Sequence, residues 1–193
     1  DLGIRPVFCS SDQVFRGDRG GYTERDTPDP QTAYGRQKQA VERHILDCHP
    51  AGVVMRMGKL FGPPAEDTSP IRQTIETLAM GQEVRAASDM WLTLTHVDDI
   101  AAAVSALLAS RASGPWHVVA PGPLTRFDLA AQIAAAMGRV DLVREIRVAD
   151  LALAEPRPPN TVLDGAKFHR ACSLPFRDWP EELPEFLHFY GRE

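Results

Sequence analysis

Tyr34 and Lys38 stand four residues apart in a stretch that predicts a helix over residues 33–47. Both side chains then lie on one helix face, which continues into Val41 and Ile45. An ammonium held near a phenol favours the phenolate, which suits Tyr34 to give or take a proton. Lys38, with three donors on a long stem, can also bond a ribose hydroxyl. A lone Tyr-x-x-x-Lys arises often by chance on amphipathic helices, where the lysine merely snorkels. Ser11 changes the weighing. It lies 23 residues before Tyr34, just past the apolar run of residues 5–9 (Arg-Pro-Val-Phe-Cys). Such a run predicts a buried parallel strand that delivers polar residues at its carboxyl end, the end that faces ligands in open α/β sheets. A hydroxyl there can share a substrate carbonyl with the phenol; without a partner it would bond local backbone instead.

The elements that position these residues follow from pattern and punctuation. Residues 16–31, with Gly17, Gly20, Gly21, Pro28 and Pro30, predict a loop leading into the Tyr34 helix, which stops before Pro50. Residues 52–57 (Gly-Val-Val-Met-Arg-Met) form a second β-branched run, so that a strand, a crossover helix and a parallel strand of one sheet are expected. After the Gly62-Pro63-Pro64 break come a helix near 71–80, a strand near 91–95, and a helix carrying Val97, Ile100, Ala101, Val104 and Leu108 at helical spacing. Asp98-Asp99 would sit in that helix's first turn as an N-terminal cap; adjacent helix residues point apart, which disfavours a metal site. Residues 116–120 read as a strand, and Thr125 with Asp128 resembles a capping box for a helix through Ile133 and Met137 that Gly138 closes. Beyond Asp150 the prolines (Pro156, Pro158, Pro159, Pro175, Pro180, Pro184) predict loops and short helices packed on the body. No internal repeat is visible. His96 and His117 lie at predicted strand edges beside apolar residues, where a packed, hydrogen-bonded histidine is the commoner occupant.

The 193 residues carry a formal charge of −5 without a dense basic run, so no nucleic-acid or membrane-surface partner is expected, and any phosphate binding must be local. Cys9, Cys48 and Cys172 are odd in number and far apart, which suggests neither a disulfide framework nor a zinc site and fits reduced thiols in a cytoplasm. No apolar run is long enough for a membrane helix, and no signal pattern opens the chain. The opening Asp1-Leu2-Gly3-Ile4 reads as the middle of a protein.

Taken in order, the segments Ser10-Ser11-Asp12-Gln13-Val14-Phe15-Arg16-Gly17, Gly20-Gly21-Tyr22-Thr23-Glu24 and Tyr34-Gly35-Arg36-Gln37-Lys38 are similar to the extended short-chain dehydrogenase/reductases, most of all those of the dTDP-4-dehydrorhamnose reductase kind. Further matches are Arg56 through Pro63, Thr95-His96-Val97-Asp98-Asp99-Ile100-Ala101, Gly114-Pro115-Trp116-His117-Val118, and Arg157-Pro158 through Leu163-Asp164, so the likeness covers nearly the whole chain. The resemblance implies an α/β fold, a partial Rossmann-like parallel sheet with a small C-terminal substrate-binding lobe. Residues 1–62 would be the downstream part of the dinucleotide-binding domain and 63–193 mainly the lobe, with helix 97–109 and strand 116–120 returning to the sheet.

It also implies hydride transfer from a reduced nicotinamide (NADP or NAD) to a nucleotide-linked 4-keto sugar. Tyr34 would protonate the developing alkoxide, Ser11 orient the carbonyl and Lys38 bind the nicotinamide ribose, with Met57 and Gly58 beside the nicotinamide. Asp12, Gln13 and Lys59 would face the substrate sugar, and Arg157 its diphosphate. Gln13 and Lys59 depart from the aromatic residue and the tryptophan often found there in the family, which puts the rhamnose-precursor substrate in question. An epimerase or dehydratase of the same superfamily is an alternative, although the Asp12-Gln13 that follows Ser11 lacks the acidic pair usual in dehydratases. A non-catalytic subunit like the regulatory subunit of methionine adenosyltransferase is another. No G-x-G-x-x-G or G-x-x-G-x-x-G occurs between a strand and a helix, so weak or no dinucleotide binding by these residues alone is expected. The strand at 5–9 should present an open sheet edge, and a homo-oligomer formed through that edge is a further expectation.

Overall fold

The computed structural model describes residues 4–62, 69–151 and 157–190; Pro63, Pro64 and Pro156, which figured in the expectations above, lie outside them. In chain order β1 (Val7–Ser11) leads through a 3-10 turn (Asp12–Val14) and a long loop to α1 (Ala33–Cys48), followed by β2 (Val53–Met57), β3 (Lys59–Phe61) and α2 (Pro70–Ala79). Then come β4 (Val84–Ala87), β5 (Trp91–Leu92), β6 (Leu94–His96), α3 (Val97–Ala109), β7 (Gly114–His117) and β8 (Leu124–Thr125). The chain continues through α4 (Arg126–Met137), β9 (Val143–Ile146), α5 (Ala166–Cys172) and α6 (Trp179–Tyr190). This is an α/β fold, as expected.

β1, β2 and β7 form a parallel sheet in that order, with Val7 opposite Val53 and Val53 opposite Gly114. β2 is central and buried along its whole length, which is why it tolerates an apolar run on both faces. β1 lies at the edge of this sheet among the described residues. The strand begins at Val7, two residues later than its apolar run, because Pro6 lacks the N–H a ladder needs while its carbonyl accepts from Val53 N at 2.9 Å. Similarly β7 covers Gly114–His117, not 116–120: Val118 still donates to Arg56 O, but Ala120 N turns to the Thr95 hydroxyl.

The strand expected at 91–95 is two strands that part at Thr93. β5 pairs antiparallel with β8, whereas β6 pairs parallel with β3. The pair β4 and β9 had no reading in the sequence. Two larger apolar clusters hold the elements together. One joins α2, α4 and α6 through Ile71, Leu78, Leu129, Ile133, Trp179 and Phe186; another joins the main sheet to α3 and α5 through Met55, Leu107, Val118 and Phe168.

Helix ends follow the local chemistry. Thr125 and Asp128 make the capping box, and Gly138 closes α4 at φ 66. At α3 the cap is His96, whose ring nitrogen accepts from Asp98 N, and not the Asp98-Asp99 pair, which occupies the first turn. Among the described residues no helix is long and apolar enough to cross a membrane, and no group of three or more His, Cys, Asp or Glu could hold a metal ion.

Candidate active site

β1 delivers Ser11 at its carboxyl end, and the hydroxyl there is already engaged. Ser11 Oγ donates to Asp12 Oδ1 at 2.8 Å and accepts from Gln13 N at 3.2 Å, capping the 3-10 turn. Asp12 Oδ2 accepts from the Thr161 hydroxyl at 2.5 Å. The Asp12 carboxyl therefore faces two hydroxyls, and burial raises its pKa above the ordinary carboxylate value against the opposing pull of those bonds. Gln13 points to α1, its side-chain carbonyl accepting from Thr32 Oγ1 at 3.3 Å.

α1 packs against this turn and against β1, and Lys38 reaches the β1 backbone. Thr32 caps the helix by accepting from Gly35 N. A Cβ at residue 35 would come 2.1 Å from Gln13 O and 2.8 Å from the Pro30 side chain, so only glycine allows this approach. Lys38 Nζ donates to Cys9 O at 2.9 Å and lies 5.6 Å from the Tyr34 ring centroid. Tyr34 is 46% exposed, and its hydroxyl has no protein partner among the described residues. Along the face of Tyr34, Lys38, Val41 and Ile45, Tyr34 and Val41 are exposed, Val41 at 40%, while Lys38 and Ile45 are half-buried. The fully buried residues of α1 are Gly35 and Glu42, so the helix is held to the sheet by a polar contact.

That contact is a buried ion pair. Arg56 of β2 grips Glu42 with two prongs, Nε to Oε1 at 3.0 Å and Nη2 to Oε2 at 2.8 Å, and both residues are at most 3% exposed. Ser10 donates a further, short hydrogen bond to Glu42 Oε1, and the guanidinium lies over the Phe15 ring at 5.1 Å. His117 completes the group. Its Nδ1 meets Tyr22 O at 2.9 Å and its Nε2 meets Arg56 Nη1 at 3.4 Å. A carbonyl only accepts and a guanidinium only donates, so this imidazole carries one proton, on Nδ1, and is neutral. Burial, with the Arg56 charge adding and Glu24 opposing, pushes its pKa down to about 4. Glu24 accepts from His117 N. His117 is thus the packed, bonded histidine its surroundings in the sequence suggested, whereas nothing local singled out Glu42 as its neighbour's counter-ion.

Met57 is buried at the end of β2, and Gly58 follows it, where a Cβ would sit 2.2 Å from Thr93 Oγ1. Lys59 is exposed, its backbone N–H donating to Thr93 O. Arg157 is not beside Ser11. It lines a cavity of about 400 Å³ with Thr74, Thr77, Ala87, Met90 and Arg126. Arg126 was not anticipated, because its position at the start of α4 reads as an ordinary helix arginine. Burial, then the Arg157 charge, lowers its pKa, yet a guanidinium stays charged at neutral pH. Among the described residues neither arginine has a carboxylate partner; Arg85 also lines the cavity, and the cavity's one carboxylate among the described residues, Glu83, is paired with Arg144.

The segment after Arg157 connects the cavity with the Ser11 end. Pro159 O accepts from Trp91 N, Asn160 N donates to Gly17 O, Thr161 reaches Asp12, and Tyr22 exchanges backbone bonds with Val162 and Asp164. Thr161 is four residues from Arg157, at most roughly 14 Å of chain.

Known proteins resemble the chain in sequence and in fold. A dTDP-4-keto-6-deoxy-D-glucose reductase of Streptomyces niveus is 34% identical over 191 residues, a match that covers 96% of this chain and 65% of that protein. The methionine adenosyltransferase 2 subunit beta of Rattus norvegicus is 26% identical over 174 residues, covering 86% of this chain and 52% of that subunit. Among solved structures, a dTDP-4-dehydrorhamnose reductase of Bacillus anthracis in complex with NADP superposes with a TM-score of 0.84 at 24% identity, over 97% of this chain and 66% of that one. At that identity the likeness establishes the Rossmann-like fold alone. The chain thus spans about two thirds or less of the proteins it matches. Residues 1–191 match the family described as the RmlD substrate binding domain, and the chain belongs to that family.

Proposed function

We propose that the protein reduces a nucleotide-linked 4-keto sugar with a reduced nicotinamide dinucleotide, NADPH or NADH. Ser11 at the carboxyl end of β1, Tyr34 and Lys38 on the helix packed against that strand, and a single segment leading from there to a cavity with two arginines that have no carboxylate partner among the described residues together support this reading. A ligand with an anionic group at one end and a carbonyl at the other matches that layout: Arg126 and Arg157 suit paired phosphate oxygens, and Tyr34 and Ser11 suit an oxygen that gains charge in the transition state. Tyr34 protonates that oxygen with a hydroxyl that has no protein partner among the described residues. Asp12, Gln13 and Lys59 border the sugar, and the lobe built on α2, α4 and α6 is its side of the site.

Residues at the nicotinamide end fit the cofactor. Lys38 has two donors left beside its bond to Cys9 O and can hold ribose hydroxyls, while the backbone at Met57 and Gly58 flanks the ring. When bound, the reduced nicotinamide supplies the hydride. The pyrophosphate end has no counterpart among the described residues, where no glycine-rich turn opens a helix. Calorimetric titration of these 193 residues with NADPH and NADH is therefore expected to show at best weak binding; micromolar affinity would show that a different cradle exists. The open edge at β1 belongs to the same reading, as a place where another strand or another copy pairs.

The test of function is an assay of the full protein with 4-keto nucleotide sugars and either cofactor. Stoichiometric cofactor oxidation is the expected result. Nucleotide-sugar turnover without net oxidation would instead mark an epimerase or dehydratase. No turnover, with cellular function surviving Tyr34→Phe but lost on surface substitution, would mark a binding subunit.

A further inference from the structure

A carbonyl oxygen only accepts hydrogen bonds, so Ser11 serves one only if its single proton is free to point there. In this structure that proton is committed to Asp12 Oδ1, and one of the serine's lone pairs is taken by Gln13 N. An ionised Asp12 has no proton to give back, which leaves Ser11 offering a lone pair to a group that needs a donor. A protonated Asp12 reverses the direction. With its proton on Oδ1 it donates to Ser11 Oγ, which then accepts from Asp12 and Gln13 N and has its own proton available for the substrate.

We propose that Asp12 works in its protonated form, fixed by Thr161, as the positioning residue that turns the Ser11 hydroxyl toward the substrate carbonyl; this rests on the reading of Ser11 as a carbonyl donor. Thr161 selects the oxygen. It donates to Oδ2 at 2.5 Å and leaves Oδ1, the oxygen facing Ser11, to carry the proton. No proton is consumed at Asp12, because Ser11 donates a hydrogen bond and not a proton.

The surroundings favour the neutral acid. Burial is the largest influence on the Asp12 carboxyl and raises its pKa, while the hydroxyls and nearby amides pull the other way. The ionisable groups of the adjoining elements are engaged elsewhere or have no bond to it. On α1, Lys38 bonds Cys9 O, and Tyr34 makes no bond to Asp12. In the loop that follows, Arg16 pairs with Asp29, Asp18 holds the Tyr22 hydroxyl, and Arg19 pairs with Asp26. On the late segment, Arg157 lines the cavity and the Asp164 side chain caps Ala166 N.

The test is the pH profile of kcat in the full protein. The wild-type kcat is expected to fall as pH rises through the Asp12 value, because the ionised acid recaptures the Ser11 proton. Thr161→Val removes a donor that stabilises the carboxylate, so the descent should move to higher pH, and Thr161→Ser should restore it. Asp12→Asn presents an amide donor toward Ser11 and a carbonyl toward Thr161. It is expected to keep at least about ten times the kcat of Asp12→Ala and to lose the descent that the Asp12 carboxyl causes. Equal losses in Asp12→Asn and Asp12→Ala, or a Thr161→Val profile that does not move, would overturn the proposal. Ser11→Ala separates the two levels: a kcat unchanged by that substitution would remove the reading of Ser11 itself, whereas a fall of about tenfold or more leaves only the role of Asp12 in question.

Discussion

Tyr34→Phe is expected to lower kcat about a thousandfold, roughly 4 kcal/mol of transition-state stabilisation, with little change in stability. The substitution removes one oxygen from a side chain that is 46% exposed and whose hydroxyl has no protein partner among the described residues. No packing is lost and no buried group is orphaned, so the melting temperature should stay within about 2 °C. Steady-state cofactor oxidation beside a thermal melt measures both. A loss of less than about tenfold would mean that another group delivers the proton. The contrast between a large kinetic and a negligible thermodynamic effect distinguishes a chemical role from a structural one.

Glu42→Ala should do the reverse. It leaves the Arg56 guanidinium charged and enclosed between α1 and the sheet, and breaking such a pair from one side costs about 3–5 kcal/mol. For a chain of this size that lowers the melting temperature by roughly 10 °C. Exchanging both partners, Glu42→Met with Arg56→Met, should recover much of the loss, because no charge is then stranded. If the double variant is as unstable as the sum of the singles, the two residues act independently and the pair is not the unit. The same region governs the response to acid. The His117 imidazole has an ordinary pKa of 6.5 when unfolded and about 4 when folded. Between those values the unfolded chain binds the extra proton, so stability is full above about pH 6.5 and declines as pH falls toward 4.

Where the sequence was informative, local chemistry and tertiary environment agreed. β1, α1 and β2 were legible because apolar runs, a glycine- and proline-rich loop before the helix and the Pro50 stop each say one thing, and Thr125 with Asp128 announced α4 for the same reason. β4 and β9 were not legible. Val-Arg-Ala-Ala and Val-Arg-Glu-Ile are four residues each, half polar or small, and become strands only by pairing with each other across 59 positions and packing under α4. Thr93 shows a different limit: the apolar pattern runs through it unbroken, and only the two sets of partners reveal that one strand is two. At the proposed site, Ser11, Tyr34 and Lys38 were singled out by order and spacing. Arg56 carried a usable signal, since an arginine inside a strand buried on both faces requires a counter-ion, but nothing in the sequence says that the counter-ion is Glu42. Arg126 and Thr161 gave no signal, because their meaning lies in neighbours that are far away in the chain.

The stitching of residues 157–164 to Gly17, Tyr22 and Asp12 also orders events in time. The Asp12 to Thr161 bond spans 149 positions, and the loop that carries Gly17 and Tyr22 has its backbone partners on this late segment. Contacts of that separation form only after the rest of the chain has closed the intervening loop. On a ribosome the sheet of β1, β2 and β7 can assemble while the last residues are still being made, but the turn that presents Ser11 cannot take its final shape until they emerge. The turn that presents Ser11 therefore becomes ordered only after residues 157–164 have joined it.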